Sequence, residues 1–326
     1  MQGKEASEQE TKTKSNVGID ISKCWLDVHI LPAGERLRVV NSEAGVRQLK
    51  RWLLRHNPAL VVIEATGKWH RLVHRSLVAS AIAVALVDPF RVRMFAKAQG
   101  ILAKTDRLDA RVLASFAAVM SPPLRAPAPQ TMAELAELVV ARCSAVEAQA
   151  ALKNQLGTAE CKFLKRQLER RIARAAKDVD DLDREILKRI KADAGLARRY
   201  AILTSIPSFG FAVAATLIAC LAEIGSLSAK QIGMLAGLAP IADQSGERDG
   251  VRVIWGGRPA VRRILYLAAL SASRFNAEMK AFHQRLTASG KPPKVVLIAV
   301  ARKLVVLANT LISQDRTWQP RHIKCA

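Results

Sequence analysis

Four carboxylates occupy positions suited to phosphodiester chemistry. Asp20 ends the apolar run NVGIDIS, Glu64 ends ALVVIEA, and Asp106 and Asp109 lie three apart in KTDRLDAR. Asp20 is unusual because its neighbours Ile19 and Ile21 are apolar. Strand ends at one sheet edge can set two such groups side by side, and residues three apart on a helix share a face. Four clustered carboxylates repel one another unless cations neutralise them. Mg2+ suits oxygen ligands and keeps positions for water or phosphate. Two ions roughly 3.5–4 Å apart can stabilise both the attacking and the leaving oxygen of a displacement. The expectation is therefore two Mg2+ ions, with Mn2+ as the alternative, held by Asp20, Glu64, Asp106 and Asp109. Taken singly, each residue has a plainer role. An Asp at a strand end forms turns or caps, Asp106 could cap its helix, and Asp109 would favour the helix dipole. Asp27 lies within a strand, and Asp88 before Pro89 reads as a turn residue.

The elements that must position these groups follow from the spacing of apolar residues. NVGIDIS, CWLDVHIL and RLRVVN read as strands, with a turn at 32–34 between the last two. SEAGVRQLKRWLLRH has a helical period and opens on Ser42, an N-cap residue. ALVVIEA is a buried strand, 67–79 a helix, AIAVALVD a further strand and 105–120 a helix. Three strands joined by short turns, then alternation with helices, predict a mixed sheet covered by helices. That is the order of an α/β RNase-H-like domain over 15–120. A dinucleotide-binding unit would carry G-x-G-x-x-G after its first strand, whereas IDISKCW follows Gly18.

The remainder has a different texture. Residues 1–14 are polar and charged and read as a disordered tail. SPPLRAPAPQ, 121–130, carries four prolines and reads as a linker. From 131 to 200 the chain is dense in Ala, Leu, Glu, Lys and Arg, which predicts a long helical hairpin or coiled-coil arm. Such an arm serves oligomerisation, faces nucleic acid, or acts as a solvated spacer. Residues 201–326 read as a mostly α domain. Within it SIPSFG, 205–210, is either a helix-hairpin-helix turn presenting amides to phosphate or a plain interhelical turn. The former usually has Gly where Ser208 stands.

The 326 residues carry 51 Lys+Arg against 28 Asp+Glu, a formal charge of +23. Such an excess repels itself unless a polyanion is the normal partner, and nucleic acid is the obvious one. The imbalance is steepest after Ser245, where only Glu247, Asp249, Glu278 and Asp315 oppose a long series of Arg and Lys. Lys104, Arg248, Arg252, Arg258, Arg262 and Arg263 are the candidates for phosphate contacts. Gly256 and Gly257 would let the backbone approach nucleic acid closely. Five scattered cysteines without a CxxC pair argue against a disulfide framework or a zinc site and fit a reduced, cytoplasmic protein. No secretory signal is visible, and the apolar run 209–222 is too short for a bilayer. Arg302 and Lys303 interrupt the run 295–312, so both runs read as buried helices and no membrane partner is expected.

GIDISKxxLDV, IEATG, KTDxxDA and LAGLAPxxxQSG…GGRxxVRRxLY, in this order, resemble the DEDD transposases of bacterial insertion sequences. This is the IS110 family, with its Piv-type invertases and bridge-RNA-guided recombinases, and the resemblance runs from about 17 to 311. It implies a RuvC-like domain whose DEDD tetrad falls on Asp20, Glu64, Asp106 and Asp109. It also implies a C-terminal transposase domain with a nucleophilic serine, which falls on Ser245. Members act as oligomers, dimers or tetramers, in which the tetrad of one subunit works with the serine of another. A structured non-coding RNA can select donor and target double-stranded DNA, which places the protein at the nucleoid. The implied reaction is Mg-dependent strand cleavage and exchange through a phosphoserine–DNA link. A serine hydroxyl needs a base or a metal to activate it, and no histidine is near Ser245 in sequence.

Three other readings compete. A RuvC-like nuclease or junction resolvase would use metal-activated water. An actin-like sugar kinase would share GIDIS as a phosphate loop but needs a second loop, which is absent here. A catalytically inert nucleic-acid-binding relative would need neither metal nor serine.

Overall fold

The computed structural model describes residues 15–65, 67–101, 106–242, 244–245 and 248–320, excepting the side chains of 106, 107, 245, 248 and 249. The expected tail at 1–14, Lys104 and the side chains of Asp106, Ser245 and Arg248 lie outside this set. The chain divides into two compact units, 1–128 and 129–326.

The first unit opens with three strands, β1 (Asn16–Ile21), β2 (Trp25–Leu31) and β3 (Arg36–Val40). Helix α1 (Glu43–His56), β4 (Leu60–Glu64), α2 (His70–Val78), β5 (Val84–Val87), α3 (Pro89–Ala98) and α4 (Asp106–Met120) follow. The sheet order is β3-β2-β1-β4-β5. β2 runs antiparallel to β1 and β3, while β4 is parallel to β1 and β5. The mixed α/β sheet expected from the sequence is therefore present, with one more helix than the sequence reading contained. Asp88, read as a turn residue, caps that helix by accepting from the Phe90 amide at 2.8 Å, and Pro89 starts it.

Alternation decides which face each residue serves. Val17, Ile19, Ile21, Val28, Ile30 and Ile63 pack under Leu49, Leu53, Val73 and Leu77 of α1 and α2. On the other face Val62, Ala85 and Val87 pack against Val92 of α3 and Leu113 and Phe116 of α4. Phe95 and Phe116 meet edge to face at 5.2 Å, joining α3 to α4. Burying Leu113 and Phe116 contributes roughly 1.5–3 kcal/mol each. The proline-rich stretch is pinned at Arg125, whose amide donates to Val84 O at 3.2 Å and whose carbonyl lies 2.7 Å from His74 Nε2.

The second unit is mostly helical. Helices α5 (Gln130–Thr158) and α6 (Lys162–Ala192) form an antiparallel hairpin tied by Arg142–Asp183 and Arg189–Glu134. Next come α7 (Ala194–Thr204), α8 (Phe211–Cys220) and α9 (Ala229–Leu235). Four two-residue strands follow: β6 (Pro240–Ile241), β7 (Gln244–Ser245), β8 (Arg248–Asp249) and β9 (Val253–Ile254). Helices α10 (Pro259–Phe275), α11 (Ala277–Ala288) and α12 (Pro293–Ser313) complete the unit. Apolar α8 sits in the core with Leu265 of α10 and Leu304 of α12. α12 is long and apolar enough to cross a bilayer. Its Val296, Val300, Leu304, Ala308 and Leu311 are nonetheless fully buried against the neighbouring helices, as the sequence reading expected.

Candidate active site

Register places the first two carboxylates. β1 and β4 run parallel with Val17 beside Val61 and Ile19 beside Ile63. One step further sets Asp20 beside Glu64, on the same face at the carboxyl ends of both strands. On its other side Asp20 faces Asp27 of β2, and Asp27 faces Arg38 of β3. A polar row, Arg38–Asp27–Asp20–Glu64, thus crosses four strands. Directly paired residues hold their Cβ atoms about 4.5–5.5 Å apart. Arg38 pairs with Asp27 at 3.6 Å, and the Asp27 side chain is only 10% exposed. The sequence reading set Asp27 aside, since period-two spacing says which residues share a face but not which strand lies opposite.

The other two carboxylates arrive on α4. Gly18 lies two residues before Asp20 on the same face, and a methyl group there would overlap the Ala110 carbonyl and the Ala114 amide. It would also sit 2.6 Å from Leu113 Cβ. The absent side chain lets α4 press directly onto β1. Asp109 immediately precedes Ala110, and Asp106 begins the helix one turn earlier. Among the described residues no three His, Cys, Asp or Glu side chains form a ready metal-ligating group. Asp20, Glu64 and Asp109 do offer only oxygen donors, on two strand ends and one closely packed helix. That donor set fits a hard cation such as Mg2+ rather than zinc.

Two lysines that the sequence reading passed over stand beyond these strand ends. Asn41 Nδ2 donates to Ser22 O at 2.8 Å and to Trp69 O at 3.3 Å, tying the loop after β1 to the segment after β4. Lys23 and Lys68 approach the Trp69 ring from 5.9 and 5.0 Å. They follow Asp20 by three residues and Glu64 by four along the chain. IDISK and EATGK were the available signal, since each carboxylate is followed closely by a lysine.

The expected residues of the second unit are dispersed among several roles. Ser245 pairs with Arg248 in the β7–β8 hairpin. Arg258 forks onto Glu223 with two contacts of 2.6 Å and donates to Cys220 O at 2.8 Å. Arg262 donates to Gly256 O at 2.7 Å, and Arg263 pairs with Glu147. Gly257 takes φ 65° and abuts Gly237, where any side chain would collide, whereas the space beside Gly256 is open. Arg252 lines a cavity of about 1040 Å3 together with Tyr266, Phe282, Lys294, Arg302 and Lys303. In SIPSFG, Ser208 adopts φ 79°, the conformation that glycine would take without strain, and its Oγ is buried without a partner.

Two family descriptions match this chain. The DEDD transposase domain of IS110 spans residues 17–159, and the transposase domain of the IS116/IS110/IS902 family spans 200–284. The pilin gene-inverting protein of Moraxella bovis is 28% identical over 321 residues, covering 95% of this chain and 99% of that protein. Its Moraxella lacunata counterpart matches to the same extent. An uncharacterised 43.6 kDa protein of insertion element IS110 from Streptomyces coelicolor is 25% identical over 122 residues, 37% of this chain and 30% of that one. The chain belongs to the IS110 family of DNA transposases and recombinases.

Proposed function

We propose that this protein cleaves and rejoins DNA strands with a composite chemistry, four carboxylates and one serine. The observation that carries the reading is the adjacency of Asp20 and Glu64 at the carboxyl ends of parallel strands, with α4 pressed onto β1 at Gly18. The order β3-β2-β1-β4-β5 supports an RNase-H-like (RuvC-like) reading of the first unit, and the α5–α6 hairpin supports a coiled-coil arm. Asp20, Glu64, Asp106 and Asp109 would hold divalent ions, Mg2+ in the first instance. When bound, such ions supply the positive charge that offsets the negative charge building up at a reacting phosphate.

In this reading the protein residues divide the work. The Ser245 hydroxyl attacks the scissile phosphorus, so one P–O bond to serine forms as one P–O bond within the DNA breaks. The serine gives up its proton and the departing deoxyribose oxygen takes one up. The phosphoserine–DNA link retains the bond energy, and the reverse attack by a different strand end completes exchange. Lys23 and Lys68 draw the DNA backbone toward the carboxylates. A charge of +23 supports large nucleic-acid partners, donor and target DNA and a structured guide RNA, engaged by a homo-oligomer.

The test is a denaturation-resistant protein–DNA adduct formed in the presence of Mg2+. Wild-type protein should form it, and Ser245→Ala and Asp20→Asn should not. Normal strand exchange by Ser245→Ala would remove the serine and leave a metal-activated water as nucleophile. RNA that co-purifies with the wild type and restores site-specific exchange to nuclease-treated protein would support guidance.

A further inference from the structure

Next to the carboxylate row, on the same face of the sheet, lies a second polar cluster that the reaction does not use. His29 of β2 faces Gly18 on one side and Arg36 of β3 on the other. His29 and Arg36 line a cavity of about 320 Å3 with Asp27, Arg38 and Ala110. His29 is 4% exposed, yet its Nδ1 has no partner within the protein. Leaving a buried nitrogen unsatisfied is costly, so the position suits a hydrogen-bonding ligand. Burial, with Arg36 and Arg111 close by, keeps the imidazole below its ordinary pKa. The ring is therefore neutral at physiological pH and can donate from Nδ1 as one tautomer.

The charge around this nitrogen selects the ligand. Arg36 is exposed and supplies a planar fork of donors suited to phosphate. Arg38 stays with Asp27 and lies 5.0 Å from the ring centre of Trp25, an indole that is 42% exposed. Arg111 follows Ala110 on α4 and adds to the positive potential. The result is an anion seat of arginines around one buried hydrogen-bonding nitrogen, edged by an exposed aromatic surface. Arginines interleaved with an aromatic ring are the elements from which nucleic-acid grooves are built.

We propose that Arg36 and His29 Nδ1 bind a backbone phosphate of the DNA strand being cleaved, a few nucleotides from the scissile bond, with Trp25 against a neighbouring base. Two strand spacings separate β1 from β3, roughly 10 Å. A duplex strand rises about 3.4 Å per nucleotide, so this offset corresponds to about three nucleotides. The seat fixes the register of the strand over Asp20 and Glu64. This inference rests on the proposed reading of the carboxylates as the cleavage site, but binding alone tests it.

The experiment uses the full chain and a short fluorescein-labelled DNA duplex of random sequence, titrated across a range of salt. A single-stranded RNA of equal length forms the second arm. Arg36→Ala should weaken DNA binding roughly tenfold and lower the salt slope by about one, while Arg36→Lys should keep the slope and most of the affinity. His29→Gln should weaken binding without changing the slope. Arg47→Ala removes an exposed arginine of α1, which packs on the opposite face, and should change DNA binding far less than Arg36→Ala. Equal losses for Arg36→Ala and Arg47→Ala would overturn the seat, as would a loss for RNA alone. Failure of the cleavage reading is separable. DNA binding that depends on Arg36 in a protein without strand cleavage would spare the seat and remove that reading. Cleavage with Arg36-independent binding would do the reverse.

Discussion

Gly18 of β1 and Ala110 of α4 touch so closely that the Ala110 carbonyl occupies the place of a Gly18 side chain. This one approach seats the helix that carries Asp106 and Asp109 directly on the strand that carries Asp20. Gly18→Ala should cost about 3 kcal/mol by overpacking and push α4 off the sheet. Strand cleavage should fall while DNA binding by the second unit persists. Wild-type stability and cleavage in Gly18→Ala would refute the packing argument.

Asp20→Asn and Glu64→Gln should each lower strand cleavage roughly 100- to 1,000-fold, because each removes charge where a reacting phosphate needs a neutralising cation held. Chelation should have the same effect and be reversed by Mg2+ or Mn2+. Both variants should still bind DNA. Undiminished cleavage in chelator-treated protein would exclude a metal role for the row.

Arg258 illustrates how a basic residue can serve the fold. Its two contacts to Glu223 and one to Cys220 O commit the fork within the second unit. Arg258→Ala should lower thermal stability by about 2 kcal/mol, since Glu223 loses both contacts of the guanidinium fork. The salt slope of DNA binding should stay as in wild type. A slope reduced by one with unchanged stability would instead make Arg258 a phosphate contact.

Ser208 pays twice for its position, through a φ of 79° and a buried hydroxyl without a partner. Ser208→Gly should stabilise the protein by about 1 kcal/mol, read as a higher denaturant midpoint at unchanged slope. A lower midpoint would show that the serine makes an interaction that offsets its strain.

His29 and His74 set an acid limit on the first unit. Burial is the main cause that lowers both below 6.5, with Arg36 and Arg111 adding to it for His29. For His74 the bond to Arg125 O opposes the shift and the Arg125 charge adds to it. A folded-state pKa below the unfolded one means that the unfolded chain binds more protons. Stability from the neutral rings is therefore complete above pH 6.5 and lost as pH falls from there through the folded-state values. Melting temperature should be level from pH 8 to about 7 and decline toward pH 5.5. A level profile to pH 5.5 would show that neither ring is held neutral.

The strand-rich first unit, the helical remainder and the position of Asp20 and Glu64 at strand ends were legible along the chain. They depend on local signals, namely apolar period, turn residues and the improbability of Asp within an apolar strand. α3 was missed because a single Asp-Pro step reads equally as a turn and as a helix start. Beyond the expected meeting of Asp20 and Glu64, which residues face one another was not legible. Asp27 is an ordinary strand residue until antiparallel pairing sets it against Asp20 and Arg38. His29 is a lone histidine until β3 brings Arg36 beside it. The basic residues after Ser245 looked uniform in sequence, yet Glu223 claims Arg258 and Glu147 claims Arg263. The sequence alone determined which ionisable groups the chain carries and how they are spaced, because these are properties of the chain itself. Tertiary structure decided which of those groups meet. Pairing register and the close passage of α4 over Gly18 join residues that are far apart in sequence.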